Sequence, residues 1–410
     1  MTEQVKTSNS KIIWGLHPNV FFMGMTSLLT DVSSDMVFTL VPLFLTNVLR
    51  AAGTVVGLVG GISEGADAIC RIFSGWLSDK IGKRKFLAVS GYSISTIAKP
   101  FLYLANAWGV VLAVRFTDRV GKGVRTSSRD ALIADSISAD ERGKGFGLHR
   151  AMDTTGAFLG LVIAAVIVYL VQGTSAIELG LGCFRWLVIG GVIPAALAVV
   201  VLQVFVHEKK KGNSPNSNSQ VRMSLSGIRG SFDTRFWIFL AIMAVFTLGN
   251  SSDFFVILRA QKLGVPLFQV VLMLVLWNAT EAAFSLPMGI LSDKLGRKRL
   301  IVLGWSIYAL VYLGFALSSA TWQIWLLFAC YGIYYGIVQG VAKAFVADLA
   351  PEEKRGTAYG LYHGVVGLSL VAASVIAGML WDVVSPAAPF YFGAGLAFLA
   401  MLGIMILIRE

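Results

Sequence analysis

The segment Arg115-Phe116-Thr117-Asp118-Arg119-Val120-Gly121-Lys122-Gly123-Val124-Arg125-Thr126-Ser127-Ser128-Arg129-Asp130 sets five cations in sequence flanked by apolar residues. Arg115, Arg119, Lys122, Arg125 and Arg129 follow steps of 4, 3, 3 and 4. On a helix, at roughly 100° per residue, they fall within an arc of about 120° and form one basic stripe. A cation facing lipid costs at least ~2.5 kcal/mol near the midplane, so the stripe must face a watery cavity or paired carboxylates. Acids are at hand: Asp31 and Asp35 lie one turn apart, Glu64 and Asp67 share a face with Arg71, and Asp153 lies three positions after Arg150. Within the apolar segments of 31–153, the seven acids Asp31, Asp35, Glu64, Asp67, Asp118, Asp130 and Asp153 match seven bases, Arg71, Arg115, Arg119, Lys122, Arg125, Arg129 and Arg150. Such a balance describes a self-neutralising structural network, or a solute and proton site built from part of it. A network that pairs differently in two states is both.

The second half of the chain is drier. Its candidates are Asp253, Glu281 and Lys343 with Asn278, Gln339 and His363, surrounded by Trp277, Tyr331, Tyr334 and Tyr335. The aromatics serve packing or solute contact; His363 serves as a proton shuttle or is merely hydrogen-bonded. The solute-binding candidates are therefore Arg115, Arg119, Lys122, Arg150, Trp277, Asn278, Tyr335 and Gln339. The proton-coupling candidates are Asp31, Asp35, Glu64, Asp67, Asp153 and Glu281.

These residues need elements that hold them inside a membrane. The chain has 410 residues, 56% hydrophobic and 14% charged, with mean hydropathy +0.73; soluble domains run about 45–50% apolar and about 25% charged. Long apolar blocks predict an all-α integral membrane protein of twelve transmembrane helices, over 17–46, 54–78, 86–105, 109–133, 145–171, 185–206, 236–261, 268–292, 300–318, 322–349, 357–381 and 389–408. The polar 1–17 stretch and the charged first block predict a retained first helix, not a cleaved signal. The net charge of +11 lies in short clusters between blocks, which argues against nucleic-acid binding and for topology control. Alternate loops carry the clusters, so both termini are expected in the cytoplasm. Cys70, Cys183 and Cys330 have neither disulfide nor metal spacing, and Gly121-Lys122-Gly123 lacks the spacing of a phosphate loop. No enzyme activity, cofactor or metal is expected.

The Ser/Asn-rich 207–235 stretch reads as a flexible cytoplasmic linker between six-helix bundles at 1–206 and 236–410. The halves repeat. Gly75-Trp76-Leu77-Ser78-Asp79-Lys80-Ile81-Gly82-Lys83-Arg84-Lys85 returns 214 positions later as Gly289-Ile290-Leu291-Ser292-Asp293-Lys294-Leu295-Gly296-Arg297-Lys298-Arg299. Ala131-Leu132-Ile133-Ala134-Asp135 aligns with Ala344-Phe345-Val346-Ala347-Asp348, and Ser33-Ser34-Asp35 is echoed by Ser251-Ser252-Asp253. Parallel repeats around a midplane site are a transporter architecture.

The doubled motif strongly resembles the loop signature of the major facilitator superfamily, at the two places where that family carries it. The resemblance spans essentially the whole chain and implies two six-helix domains that rock around a central cavity, working as a monomer in the lipid bilayer on a small-molecule solute. It implies gating roles for Gly75, Asp79, Gly82, Lys83, Arg84, Gly289, Asp293, Gly296, Arg297 and Lys298. The glycines would permit close helix approach and the aspartates would face helix N-termini as a cytoplasmic latch; a purely topogenic loop is the alternative. Arg115 or Arg119 is the counterpart of a single family arginine. Gly147, Gly156 and Gly160 match the opening of the family's antiporter motif, but Leu161 and Val162 replace its ending, which favours simple helix packing. The expected function is proton-coupled movement of a small polar, anionic organic solute across a bacterial-type inner membrane. Export of hydrophobic or cationic compounds by proton antiport is the alternative, favoured if acids rather than bases line the cavity.

Overall fold

The computed structural model describes residues 17–81, 83–137, 142–208, 232–351 and 354–408, with the side chains of 72, 75–81, 134, 142–144, 147, 286, 293, 355 and 356 outside the description. Most of the 207–235 linker, and the gating candidates Gly75, Asp79, Gly82 and Asp293, therefore lie outside the described residues. The described chain is helical: α1 (Pro18–Val48), α2 (Gly53–Ile81), α3 (Arg84–Ala98), α4 (Trp108–Ser136), α5 (Arg142–Gln172), α6 (Leu181–Phe205), α7 (Thr234–Lys262), α8 (Leu267–Leu295), α9 (Arg297–Leu317), α10 (Thr321–Leu349), α11 (Arg355–Val383) and α12 (Ala388–Leu407). Among the described residues, nine helices are long and apolar enough to cross a membrane; α2, α3 and α4 are not among them. The reason is composition and length. α2 carries Glu64, Asp67 and Arg71, α4 carries the basic stripe, and α3 spans 15 residues before Pro100 tightens it into the 3₁₀ turn Lys99–Leu104.

Two helices expected to be continuous are broken. α1 turns at Thr39 and Leu40, ahead of Pro42, and ends in a π-helical Phe44–Val48; Pro42 has no N–H to continue the ladder. α7 unwinds over Asn250–Asp253, between Thr234–Gly249 and Phe254–Lys262. Asn, Ser and Asp bond locally to backbone and so compete with helix.

The outer faces suit lipid. On α6, Trp186, Ile189, Ile193, Leu197, Val200 and Val204 are exposed, while Phe184, Leu187, Gly191, Ala195, Ala198 and Leu202 pack inward. Small residues bring helices together inside each half. A Cβ on Gly156 or Gly160 of α5 would lie 2.4 Å or 2.6 Å from the carbonyl oxygens of Leu28 or Val32 on α1. These glycines therefore pack α5 on α1.

The halves meet at one end. The Asp382 carboxylate at the end of α11 accepts the backbone N–H groups of Gly53 and Thr54 (2.8 and 2.7 Å) and the Thr54 hydroxyl (2.6 Å), capping α2 across the seam. Further contacts link Ala176 to Leu267 and Ile177 to Gln261. Towards the other end, where the basic loops lie, the described helices diverge: a Cβ on Gly289, Gly340 or Gly360 would meet nothing within 4 Å among the described residues. Among the described residues, none closes on Gly289. At this basic end the motif cations staple each half to itself. Arg84 pairs with Asp135 and Arg297 with Asp348 (3.0 Å). Lys85 reaches the α6 carbonyl of Gln203 (2.8 Å), as Lys298 reaches those of Met405 and Ile408 at α12. Gly296 adopts φ 92°, a left-handed turn that glycine enters without strain.

Candidate functional site

Between the halves, opening towards the basic end, lies a cavity of about 1060 Å³. The eight solute candidates Arg115, Arg119, Lys122, Arg150, Trp277, Asn278, Tyr335 and Gln339 all line it, as do the carboxylates Asp31, Asp35, Glu64, Asp153 and Glu281. Asp67 does not. Its carboxylate faces Arg71 on its own helix, at 2.9 and 2.6 Å. His363 also lies off the lining, its ring against Tyr362.

The stripe reaches the cavity because α4 is pressed between α2 and α3. Gly123 leaves no room for a Cβ beside Cys70, and Gly121 none beside Gly91. The cations then differ in how they are held. Arg119 pairs with Glu64 at 2.8 Å, and Arg115 approaches the same carboxylate at 3.9 Å. Arg115 is 2% exposed, sits over the rings of Phe38 (4.7 Å) and Phe254 (5.3 Å), and leaves Nε and Nη1 without a hydrogen-bond partner. Lys122 has Asp31, Asp35 and Asp67 as electrostatic neighbours. Arg125 takes a third course: it donates to Ser95 Oγ (3.0 Å) and lies over the Tyr92 ring, a hydroxyl and a π face in place of the expected carboxylate. Arg129 pairs with Asp130 (3.0 Å) and donates to Ser27 Oγ (3.2 Å), which in turn donates to Asp153 (2.5 Å). Asp153 also approaches Asp31 within hydrogen-bonding range and Arg150 at 3.6 Å.

Sequence reasoning missed Lys99. It is 1% exposed, donates to Ser33 Oγ (2.7 Å) and Ser34 Oγ (3.1 Å), and so ties α3 to the acid-bearing turn of α1. The available signal was a lysine before a proline inside an apolar block.

The second half contributes the unwound turn of α7. Asn250, Ser251, Ser252 and Asp253 line the cavity; Asp253 accepts hydrogen bonds from Tyr331 (2.8 Å) and Tyr335 (3.0 Å) on α10. Tyr308, Tyr312 and Tyr334 complete a tyrosine cluster behind it. Trp277 stands in front, 5.3 Å from the Tyr335 ring, and Glu281 follows one turn later on α8.

A helical bundle with lipid-suited faces and a charged cavity between two helix sets is a multi-pass membrane transporter. The chain belongs to the major facilitator superfamily, whose family profile matches residues 23–279 and 238–410. It is 37% identical over 406 residues to an uncharacterized MFS-type transporter of Methanocaldococcus jannaschii, covering 98% of this chain and 97% of that one. A more local likeness, 31% over 138 residues and 34% of each chain, links it to the class B tetracycline resistance protein of Escherichia coli. Its fold matches the crystal structure of the nucleoside transporter NupG with a TM-score of 0.75, at 13% identity, over 95% of this chain and 99% of that one. Proteins of this family are transporters, not enzymes.

Proposed function

We propose that this protein is a secondary transporter that moves a small polar organic solute bearing an anionic group by alternating access, coupled to protons. The observation that carries this reading is Arg115, whose buried guanidinium lines the cavity with two N–H groups unpaired. Unmade hydrogen bonds of buried charged donors are costly, and an anionic acceptor would satisfy them. On this reading α2, α3 and α4 also cross the membrane, giving twelve spans in two bundles joined by 207–235, because their charges face the cavity or one another. The basic end lies in the cytoplasm of a bacterial-type inner membrane, with both termini, and the conformation described is open inward. The working unit is a monomer.

Proton coupling is supported by Asp31 and Asp153, because two carboxyls at hydrogen-bonding range can hold one proton between them. Asp35, Glu64 and Glu281 are the other expected proton carriers on the lining, which also holds Asp118 and Asp253. Reconstitution into liposomes with a panel of labelled polar solutes tests the reading. A pH gradient should drive accumulation, Asp31→Asn or Asp153→Asn should abolish it, and exchange at equal pH should persist. Transport indifferent to the pH gradient removes proton coupling; the absence of any transported anionic solute removes the substrate reading.

A second reading, export of cationic or hydrophobic compounds by proton antiport, is supported by Asp253 and Glu281, which face the cavity from the second half.

A further inference from the structure

The cavity charge divides unevenly between the halves. The first half lines it with five acids, Asp31, Asp35, Glu64, Asp118 and Asp153, against five bases, Arg115, Arg119, Lys122, Arg125 and Arg150. The second half adds Asp253 and Glu281 and, among the lining residues, no base. An exclusively anionic solute would satisfy Arg115 and meet two carboxylates: Asp253, held by tyrosine hydroxyls, and Glu281, whose cationic neighbour is Arg150 of the first half. An exclusively cationic one would leave the Arg115 donors unmet. One other lining group is also open: Trp277 Nε1 (residue 9% exposed) has no hydrogen-bond partner among the described residues.

The stations are consecutive. Arg115 lies over the ring of Phe254; the neighbouring Asp253 accepts from Tyr335; the Tyr335 ring is 5.3 Å from Trp277; and Glu281 lies one turn beyond Trp277. Aromatic faces beside carboxylates suit an ammonium group, through charge pairing and cation–π attraction. We infer that the solute is amphoteric, with its acidic group on Arg115 of the first half and an amine between Asp253 and Glu281, against Trp277 and Tyr335, of the second. This rests on the transporter reading above and specifies its substrate class. It also has a mechanical content. Such a solute touches both halves at once, so its binding energy differs between conformations in which the halves stand differently, and only a differential affinity can shift that equilibrium.

The test uses purified full-length protein and matched probes: γ-aminobutyric acid, phenylalanine and glycylglycine, each beside its amide (cation only) and its N-acetyl derivative (anion only). Binding is read by calorimetry and by thermal stabilisation. At least one amphoteric probe should bind about tenfold or more tightly than both of its blocked derivatives, the size expected when one desolvated charge contact is lost. Glu281→Gln and, separately, Asp253→Asn should erase its advantage over the N-acetyl form; using both keeps the test valid if one variant fails to fold. If the N-acetyl form binds as well as its parent in the wild type, the inference is overturned while the anion reading of Arg115 stands. If amide and parent bind equally, the inference and that anion reading both fall, and cation export gains. If no probe binds, the inference and the polar-solute reading fall together.

Discussion

The pair Arg119–Glu64 ties α4 to α2 at the cavity wall. Arg119 Nη2 lies 2.8 Å from Glu64 Oε1, Arg115 lies 3.9 Å from the same oxygen, and the side chains of Arg119 and Glu64 are 16% and 31% exposed. At an effective dielectric of ~20 the gross attractions are roughly 6 and 4 kcal/mol. Desolvation offsets most of this, and breaking a buried pair typically costs ~3–5 kcal/mol. Arg119→Ala leaves Glu64 with Arg115 still nearby, so its cost should fall near ~3 kcal/mol. Glu64→Ala deprives two guanidiniums of their common carboxylate and leaves Arg115 held by rings; its cost should be higher, about 4–5 kcal/mol. The double variant should cost less than the sum by ~1–3 kcal/mol, because neither partner is then stranded. Reversible unfolding in mixed detergent micelles, with helicity followed by circular dichroism, measures all three. Single variants within ~0.5 kcal/mol of wild type, or strict additivity, would refute the buried-pair account.

Three further outcomes are expected. Gly156→Leu should destabilise the protein by about 2 kcal/mol or more, since the helices α1 and α5 cannot separate locally, whereas Gly395→Ala, with nothing within 4 Å of its Cβ, should melt within ~0.5 kcal/mol of wild type. In a background lacking the natural cysteines, Thr54→Cys with Asp382→Cys should form a disulfide that stops transport until reductant is added; transport undiminished by the cross-link would argue against opening at that end. Single cysteines at Gln172 and Ser217 should differ on intact cells, an impermeant thiol reagent reaching the first and sparing the second; the opposite pattern reverses the orientation.

What the sequence carried well was whatever repeats or alternates over long stretches. The apolar blocks gave the helices to within a few residues, and the basic stripe's spacing placed Arg115, Arg119 and Lys122 on one face of α4. Local interruptions were harder. Gly249-Asn250-Ser251-Ser252-Asp253 contains ordinary helix-competing residues, yet its apolar flanks hid the break in α7. Pairing was harder still, because it depends on rotation about helix axes: Asp31, Asp35, Glu64, Asp67 and Asp153 were all at hand for the stripe, and packing of α2 against α4 gave Glu64 to Arg119. Asp67 shows the opposite failure, since an i,i+4 arginine claimed it before the cavity could. Gly289 illustrates a third limit. The space beside it depends on how the surrounding helices stand, which a sequence does not record.

The α2–α11 seam has a consequence for how variation is tolerated. Along α2, Gly53, Gly57, Gly60, Gly61 and Gly65 face the other half, and a Cβ on Gly57 would sit 2.1 Å from the Ser374 carbonyl oxygen, one on Gly65 2.5 Å from Val371 Cγ2. At Gly57 backbone lies against backbone, while at Gly53 and Gly65 the side chains of Trp381, Asp382 and Val371 fill the space a Cβ would take. A single added methyl at Gly57 therefore acts as a wedge against this conformer while leaving each bundle's own core intact. On the proposed alternating-access cycle, mutational damage here is conformer-selective: the affected protein should fold, insert and accumulate, yet stall at one point of that cycle. A loss-of-function allele at Gly57 would look healthy in every assay of abundance, and the same substitution offers a handle for trapping the state that this structure does not display.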